Sequence, residues 1–276
     1  MDADEANLSV PRVRAVELVR RMRGGSQPWL VRCEDGESYV VKFQNNPQHI
    51  RVLANEMLAG RLARLVGLPA AVAAVVEIPV ELVGVRRNQM VDGETPPCAG
   101  LHFGSRFPGD PEKTLVLDFL PSRLLRAVRN LQAAFLGGLA FDKWTCNCDG
   151  RQVIFYRLDA GGETGGYCAV LIDQGFCFND GDWSFPDSAT RNLYPRRLVY
   201  EGVRGLESFE PYLSAIENLS ASQLRVCARE IPQEWGGSDA KKIYWLAEEL
   251  FERRKKVRQS LIDAKNSELK PFPNWR

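Results

Sequence analysis

The tightest constraint on this chain lies between Phe141 and Phe178, where FDKWTCNCDGRQVIF is followed by a Gly-rich spacer and then AVLIDQGFCF. The first half sets polar Asp142, Asn147 and Asp149 beside a hydrophobic segment. In the second, an apolar strand from Ala169 to Ile172 runs straight into Asp173, with Gly175 just beyond. A carboxylate at the mouth of a buried strand, followed by a flexible glycine, can hold a divalent cation against phosphate oxygens, because hard cations prefer oxygen ligands fixed on rigid elements. The pattern points to phosphoryl transfer.

Composition narrows the alternatives. The 276 residues, 45% of them hydrophobic, suffice for one large domain or one domain of two lobes with a real core. A net charge of +1 supplies no global field towards nucleic acid or an anionic membrane. The basic run Arg253 to Lys256 follows Glu248, Glu249 and Glu252 on a helical pattern and reads as a solvated face. Seven cysteines, an odd number, and an acidic N-terminus with no apolar signal-peptide core lead us to expect a reduced, cytoplasmic protein. No apolar run approaches the roughly 20 residues that span a bilayer; Leu65 to Val76 is broken by Gly67 and Pro69. Neither a membrane nor a nucleic acid is an expected partner.

In chain order, Pro11 to Arg21 is a short strand or helix that periodicity does not decide. Arg23-Gly24-Gly25-Ser26-Gln27-Pro28 is a loop. Trp29 to Val31, a turn at Glu34 to Glu37, and Tyr39 to Phe43 form a hairpin. Glycines before a strand that returns to a lysine resemble the lid of an ATP site, where bare backbone amides approach phosphates and Lys42 supplies a point charge. A helix is expected from about Ile50 to Val66, with Leu58, Leu62 and Leu65 as its main apolar face. Glu56 lies on another face among Val52, Ala59 and Ala63 and needs a cation, for which Lys42 is the obvious source. Ala71 to Val85 reads as strands interrupted by Pro79, and Asp92 to Pro111, including Gly100 to Ser105, as a long loop. A lobe boundary falls near Pro108 to Pro121. A helix from Ser122 through Leu139 delivers the chain to the first motif, a hairpin turning at Gly161 to Gly166 joins Val153–Tyr156 to Tyr167–Ile172, and Asn179 to Trp183 reads as a mobile segment over the site. The remainder is helical, with a capping box at Ser220 to Gln223 and a last long helix capped by Ser238.

Five features now stand in order: the Gly-rich loop, VVK, a helix carrying NE, FDKWTCNCDGRQ and LIDQG. In that order and spacing they resemble the HipA-like kinases, particularly the shorter HipA-like kinase domain proteins of bacteria, over most of residues 20–185. Asn-x-Asp followed by Ile-Asp-x-Gly is also similar to phosphatidylinositol 4-kinases. The resemblance implies an α+β, two-lobed kinase-like fold: a small β-rich N-terminal lobe, residues 1–115, and a mainly helical lobe, residues 116–276, with Mg-ATP between them. Gly24, Gly25 and Ser26 would lie over the phosphates, Lys42 would hold the α/β-phosphates, and Glu56 would orient Lys42. Asp149 matches the catalytic aspartate and Asp173 the metal-binding aspartate, while Asp142 and Asn147 would support the loop. Two departures stand out. Many relatives have a metal-binding Asn five residues after the catalytic Asp, where this chain has Ile154, leaving Gln152 or Asn147 as the amide ligand for Mg²⁺; alternatively Asp142 with Asn147 has the Asp-x-x-x-x-Asn spacing, which would move catalysis to Asp142. The chain is also shorter than full HipA toxins, so neither a toxin role nor an antitoxin partner follows.

The expected function is an ATP-dependent kinase acting on a Ser or Thr of a protein, with a small molecule or lipid headgroup as the lesser acceptor. A nucleotide-binding module without turnover is the second reading. The third is a zinc site at Cys146, Cys148, Cys168 and Cys177, whose Cys-x-Cys spacing is not the usual knuckle. His49 and His102 are too isolated for a triad and read as structural.

Overall fold

A computed structural model describes residues 9–86, 95–157, 166–239 and 241–276. Its N-terminal part is a closed barrel in the order β1 (Arg12–Arg21), β2 (Trp29–Cys33), β3 (Ser38–Lys42), β5 (Gly100–Arg106) and β4 (Ala73–Ile78). Closure leaves no unpaired edge. Alternation explains which face goes inside: Val13, Ala15, Val31, Cys33, Tyr39, Val41, Ala74 and Val76 fill the barrel, while Val40 and Lys42 of β3 turn outwards. β1 is a strand whose register with β2 shifts between Ala15 and Glu17 and again between Leu18 and Arg20. Those irregularities blur the two-residue period, which is why the sequence pattern alone was ambiguous.

The segment Gly100 to Ser105, read as loop, is instead the closing strand of the barrel, paired with both β3 and β4. Its glycines hide its character. A Cβ at Gly104 would lie 2.5 Å from Val76 Cγ2 and 3.4 Å from Tyr39 Cβ, so only glycine lets the strand approach its neighbours. His102 is fully buried on β5, accepting the Gln44 amide at Nδ1 (3.1 Å), with Nε2 against the Cys98 carbonyl at 2.8 Å. Burial pushes its pKa down to about 4.

Helix α1 (Arg51–Leu65) is buried on nearly every side. It lies between the outer face of the barrel and the helices that follow, in one core with Ala73, Val75, Phe103, Leu224, Leu246 and Leu250. Such placement explains its lack of a polar stripe. After Pro79 the chain forms helix α2 (Val80–Arg86) rather than a second strand. The helix expected from Ser122 to Leu139 is interrupted: α3 (Ser122–Leu125) is one turn, Val128 then bridges to Tyr167, and a π-turn over Ala133–Gly137 leads into α4 (Gly138–Thr145). Asp142 therefore sits on a helix. β6 (Val116–Leu117), β7 (Gln152–Arg157) and β8 (Tyr167–Ile172) form a small antiparallel sheet; the turn at Gly161 to Gly165 lies outside the described residues.

Among the described residues four further α-helices follow: α5 (Tyr212–Glu217), α6 (Ala221–Arg229), α7 (Lys242–Arg253) and α8 (Val257–Asn266). Ser220 and Gln223 cap α6 reciprocally, as the sequence suggests. The last long helix is two, separated by a 3₁₀ turn at Arg254–Lys256, and Ser238 caps neither, since α7 starts at Lys242. Arg253 departs from the solvated face assigned to its run. It is 4% exposed, pairing with Asp187 at 2.5 Å and donating to the Trp144 carbonyl. No helix among the described residues is long and apolar enough to cross a membrane.

The buried neutral His102 links stability to pH. Its pKa is lower folded than unfolded, so the unfolded chain binds more protons between about pH 4 and pH 6.5, and stability rises with pH across that window. Denaturant unfolding of the wild type is expected to lose about 1–3 kcal/mol on moving from pH 7 to pH 4.5 through this group. His102→Gln should start less stable and show a shallower pH slope; an unchanged slope would remove the assignment.

Candidate active site

Lys42, the last residue of β3, points out of the barrel into a cleft closed below by the small sheet. Its Nζ donates to Glu56 Oε1 of α1 at 2.5 Å and to Asp173 Oδ1 at 2.6 Å. Burial disfavours the ammonium, but the two carboxylates outweigh it and hold the Lys42 pKa above its ordinary value. Burial likewise opposes ionisation of Asp173, yet Lys42 keeps its carboxyl below the usual carboxylate range. Burial pushes the Glu56 carboxyl up against the pull of Lys42. Its second oxygen accepts the backbone amide of Gln174 at 2.8 Å. Glu56 thus meets Lys42, as its place among small apolar residues suggested. Asp173 has φ 56°, a left-handed conformation that a non-glycine residue keeps only where its surroundings fix it.

The cleft is a cavity of about 370 Å³, within the ordinary range for small-molecule sites, lined by Gly24, Gly25, Ser26, Lys42, Glu56, Asp149, Gln152 and Asp173 among others. Seven of the sequence-derived site residues reach it with Glu56. Gly24 has φ 139°, open only to glycine, and a Cβ at Gly25 would stand 3.1 Å from Gln48 Nε2. Bare backbone at this point suits a phosphate chain. Asp149 is exposed at the cleft, with Gln152 Nε2 3.5 Å from its Oδ2. Ile154 also lines the cleft, so the position five residues after Asp149 offers no amide.

Two sequence-derived residues are not brought there. Asp142 is fully buried and receives Arg151 through Nε at 3.0 Å and through Nη2, together with Asn147 Nδ2 at 3.0 Å. Asn147 is 1% exposed, and its Oδ1 accepts the Asp149 amide at 3.2 Å. Both shape the loop that carries Asp149. The four central cysteines do not gather either: no group of three or more His, Cys, Asp or Glu that could hold a metal ion occurs among the described residues. Cys177 is fully buried, its thiol pushed up to about 12 by burial, and Cys146 is buried against Arg253.

Sequence reasoning passed over the residues that join these parts. Arg151 Nη1 donates to Gln174 Oε1 at 2.7 Å, so one guanidinium ties the Asp149 loop to the residue after Asp173. Asn192 donates to the carbonyls of Asn147 and Asp149 at 2.8 and 2.9 Å. Its loop is held by Lys143 Nζ, which donates to the carbonyls of Ser188, Ala189 and Arg191 and whose pKa burial lowers to about 8. One signal was available: Asp142 continues the Phe135, Leu139 stripe at helical spacing, and an acid on a core stripe calls for a buried cation. The segment expected to be mobile is instead pinned to α1. Asn55 donates to the carbonyls of Gly175 and Asp180 and accepts Trp183 Nε1, and His49 pairs with Asp180 at 2.5 Å.

A family model described as HipA-like kinase matches residues 15–155, from β1 through the Asp149 loop into β7. The chain belongs to the HipA-like kinase family. Its class is therefore that of a phosphotransferase. The solved structure of the Helicobacter pylori proinflammatory kinase CtkA is similar over 93% of this chain and 96% of its own, at 13% identity and a TM-score of 0.55. At that identity it shows the fold, an α+β kinase-like architecture. The Golgi casein kinase with Mn/ADP bound is similar over 97% of this chain and 78% of its own, at 13% identity and a TM-score of 0.48. No curated protein sequence matches this HipA-like kinase.

The two aspartates of the loop should separate in a stability measurement. Asp142→Asn leaves the buried Arg151 without its counter-ion and is expected to cost about 3–5 kcal/mol in denaturant unfolding. Asp149→Asn, at an exposed position, should stay within about 0.5 kcal/mol of wild type. Equal losses would overturn the division of roles.

Proposed function

We propose that this HipA-like kinase transfers the terminal phosphoryl group of ATP to a Ser or Thr hydroxyl of a protein. The observation that supports this most is Lys42 Nζ within hydrogen-bonding distance of both Glu56 and Asp173 in a cavity that Asp149 also lines. The donor set fits magnesium and a triphosphate: carboxylate and amide oxygens for a hard cation, one ammonium, and glycine backbone without side chains. Asp173 would hold the metal, with Gln152, which lines the same cavity, as the amide ligand; Asn147 is occupied within its loop. Bound Mg-ATP supplies the phosphoryl group and the charge that screens it. Lys42 neutralises the α/β-phosphates, oriented by Glu56, while Gly24, Gly25 and Ser26 cover them. Asp149 aligns the acceptor hydroxyl and takes its proton as the oxygen–phosphorus bond forms and the bond to the leaving diphosphate breaks.

Asp149 stands exposed, which suits an acceptor carried on a protein surface. The lobes would divide near residues 115 and 116, with the cleft between them. Seven free cysteines agree with a reducing, cytoplasmic setting.

The test is phosphate incorporation from Mg-ATP into generic protein acceptors and into the protein itself. Asp149→Asn is expected to lower incorporation about 10²–10⁴-fold while nucleotide still binds. Lys42→Met should weaken both binding and turnover. Binding of Mg-ATP with no incorporation into any acceptor would favour a nucleotide-binding module, for which Ile154 in place of an amide ligand is the specific motive.

A further inference from the structure

The side of the cleft where the barrel hands over to the rest of the chain is made by Arg106, Phe107 and Pro108, all three of which line the cavity. Their backbone donors can be accounted for completely. The Arg106 amide donates to the Val72 carbonyl at 2.8 Å and the Phe107 amide to the Ser38 carbonyl at 2.8 Å. Pro108 has no N–H at all. Gly109 turns away at φ 76°, with Thr114 filling the space of a Cβ, and lines the groove on the outer side of this connector instead. The polar side chains of the connector and of the residue before it do not fill the gap. The Arg106 guanidinium is taken by Glu37, and the Ser105 hydroxyl lies 3.5 Å from the Val40 carbonyl. Branched apolar residues face one another across the cleft, Val40 from the barrel against Val116, Ile154 and Ile172, a slot suited to a flat ring.

An adenine edge presents an amino donor at N6 and an acceptor at N1. Protein carbonyls can receive the amino group, but N1 needs a donor. We infer that this connector reads a purine only through the base's own donors, and that Pro108 is the residue that leaves N1 unread. This rests on the proposed nucleotide site and specifies how that site treats its base. The site accordingly tolerates loss of the N1 lone pair, and discrimination among nucleotides falls to the triphosphate contacts and the width of the apolar slot.

The experiment compares ATP with 1-deaza-ATP, in which a C–H replaces N1, by competition binding to the full chain in the presence of Mg²⁺. Wild type is expected to bind the two within about threefold of each other, since no net hydrogen bond is lost. Pro108→Ala restores an amide and should prefer ATP by roughly three- to tenfold, the worth of one such bond. A wild-type preference for ATP of about tenfold or more overturns the inference without needing the variant. A folded Pro108→Ala protein, checked by its unfolding transition, that still treats the two alike removes Pro108 as the determinant. If neither nucleotide binds, the kinase reading itself fails, an outcome distinct from binding of ATP alone.

Discussion

A single buried chain of charged and polar contacts holds the parts of the candidate site of this HipA-like kinase in relation to one another. It runs from Lys42 to Glu56, from Glu56 to the amide of Gln174, and from the Gln174 side chain to Arg151. From there it passes to Asp142, Asn147 and the amide of Asp149. Each member is an expensive group to bury alone, and a broken buried pair costs several kcal/mol, so the parts persist only as a set. The barrel, α1, the Asp149 loop and the segment after β8 are thereby fixed to one another through side chains as well as through packing. Asp173 is held on both sides, by Lys42 on its carboxylate and by Glu56 on the backbone amide of the following residue, Gln174.

Helix α1 makes this arrangement possible by being buried on both sides. One face packs on Ala73, Val75 and Phe103 of the barrel, another joins the core of the C-terminal helices. Between them Glu56 reaches the cleft and Asn55 reaches the carbonyls of Gly175 and Asp180. Two adjacent polar residues on an otherwise apolar helix thus address two points of the segment that carries Asp173. A rigid element positioned by hydrophobic burial is a better support for chemistry than a loop.

Much of the site was legible because its residues belong to short motifs whose chemistry needs neighbours in sequence. VVK at a strand end, Glu56 on a helix of small and apolar residues, and an apolar strand entering Asp173 each carry their reason locally. Less of the fold was legible. β5 lacked the branched residues of a strand because Gly104 must clear Val76 and Tyr39, contacts made by residues distant in sequence. The break after Leu125 was hidden because the competing bridge from Val128 to Tyr167 forms with a strand some forty residues on. Arg253 looked like one more solvated cation until Asp187 and the carbonyl of Trp144 folded around it.

The sequence by itself determined the class of chemistry, since hard oxygen ligands, a lysine and bare glycine backbone suit phosphates in whatever fold presents them. It also determined the order of the elements that carry those groups. Only the tertiary structure set the two aspartates apart in their surroundings, burying Asp142 against Arg151 and leaving Asp149 in the open cleft. The physical reason is that a carboxylate's role depends on what desolvates it and what cation meets it, and both are supplied by residues brought together through folding.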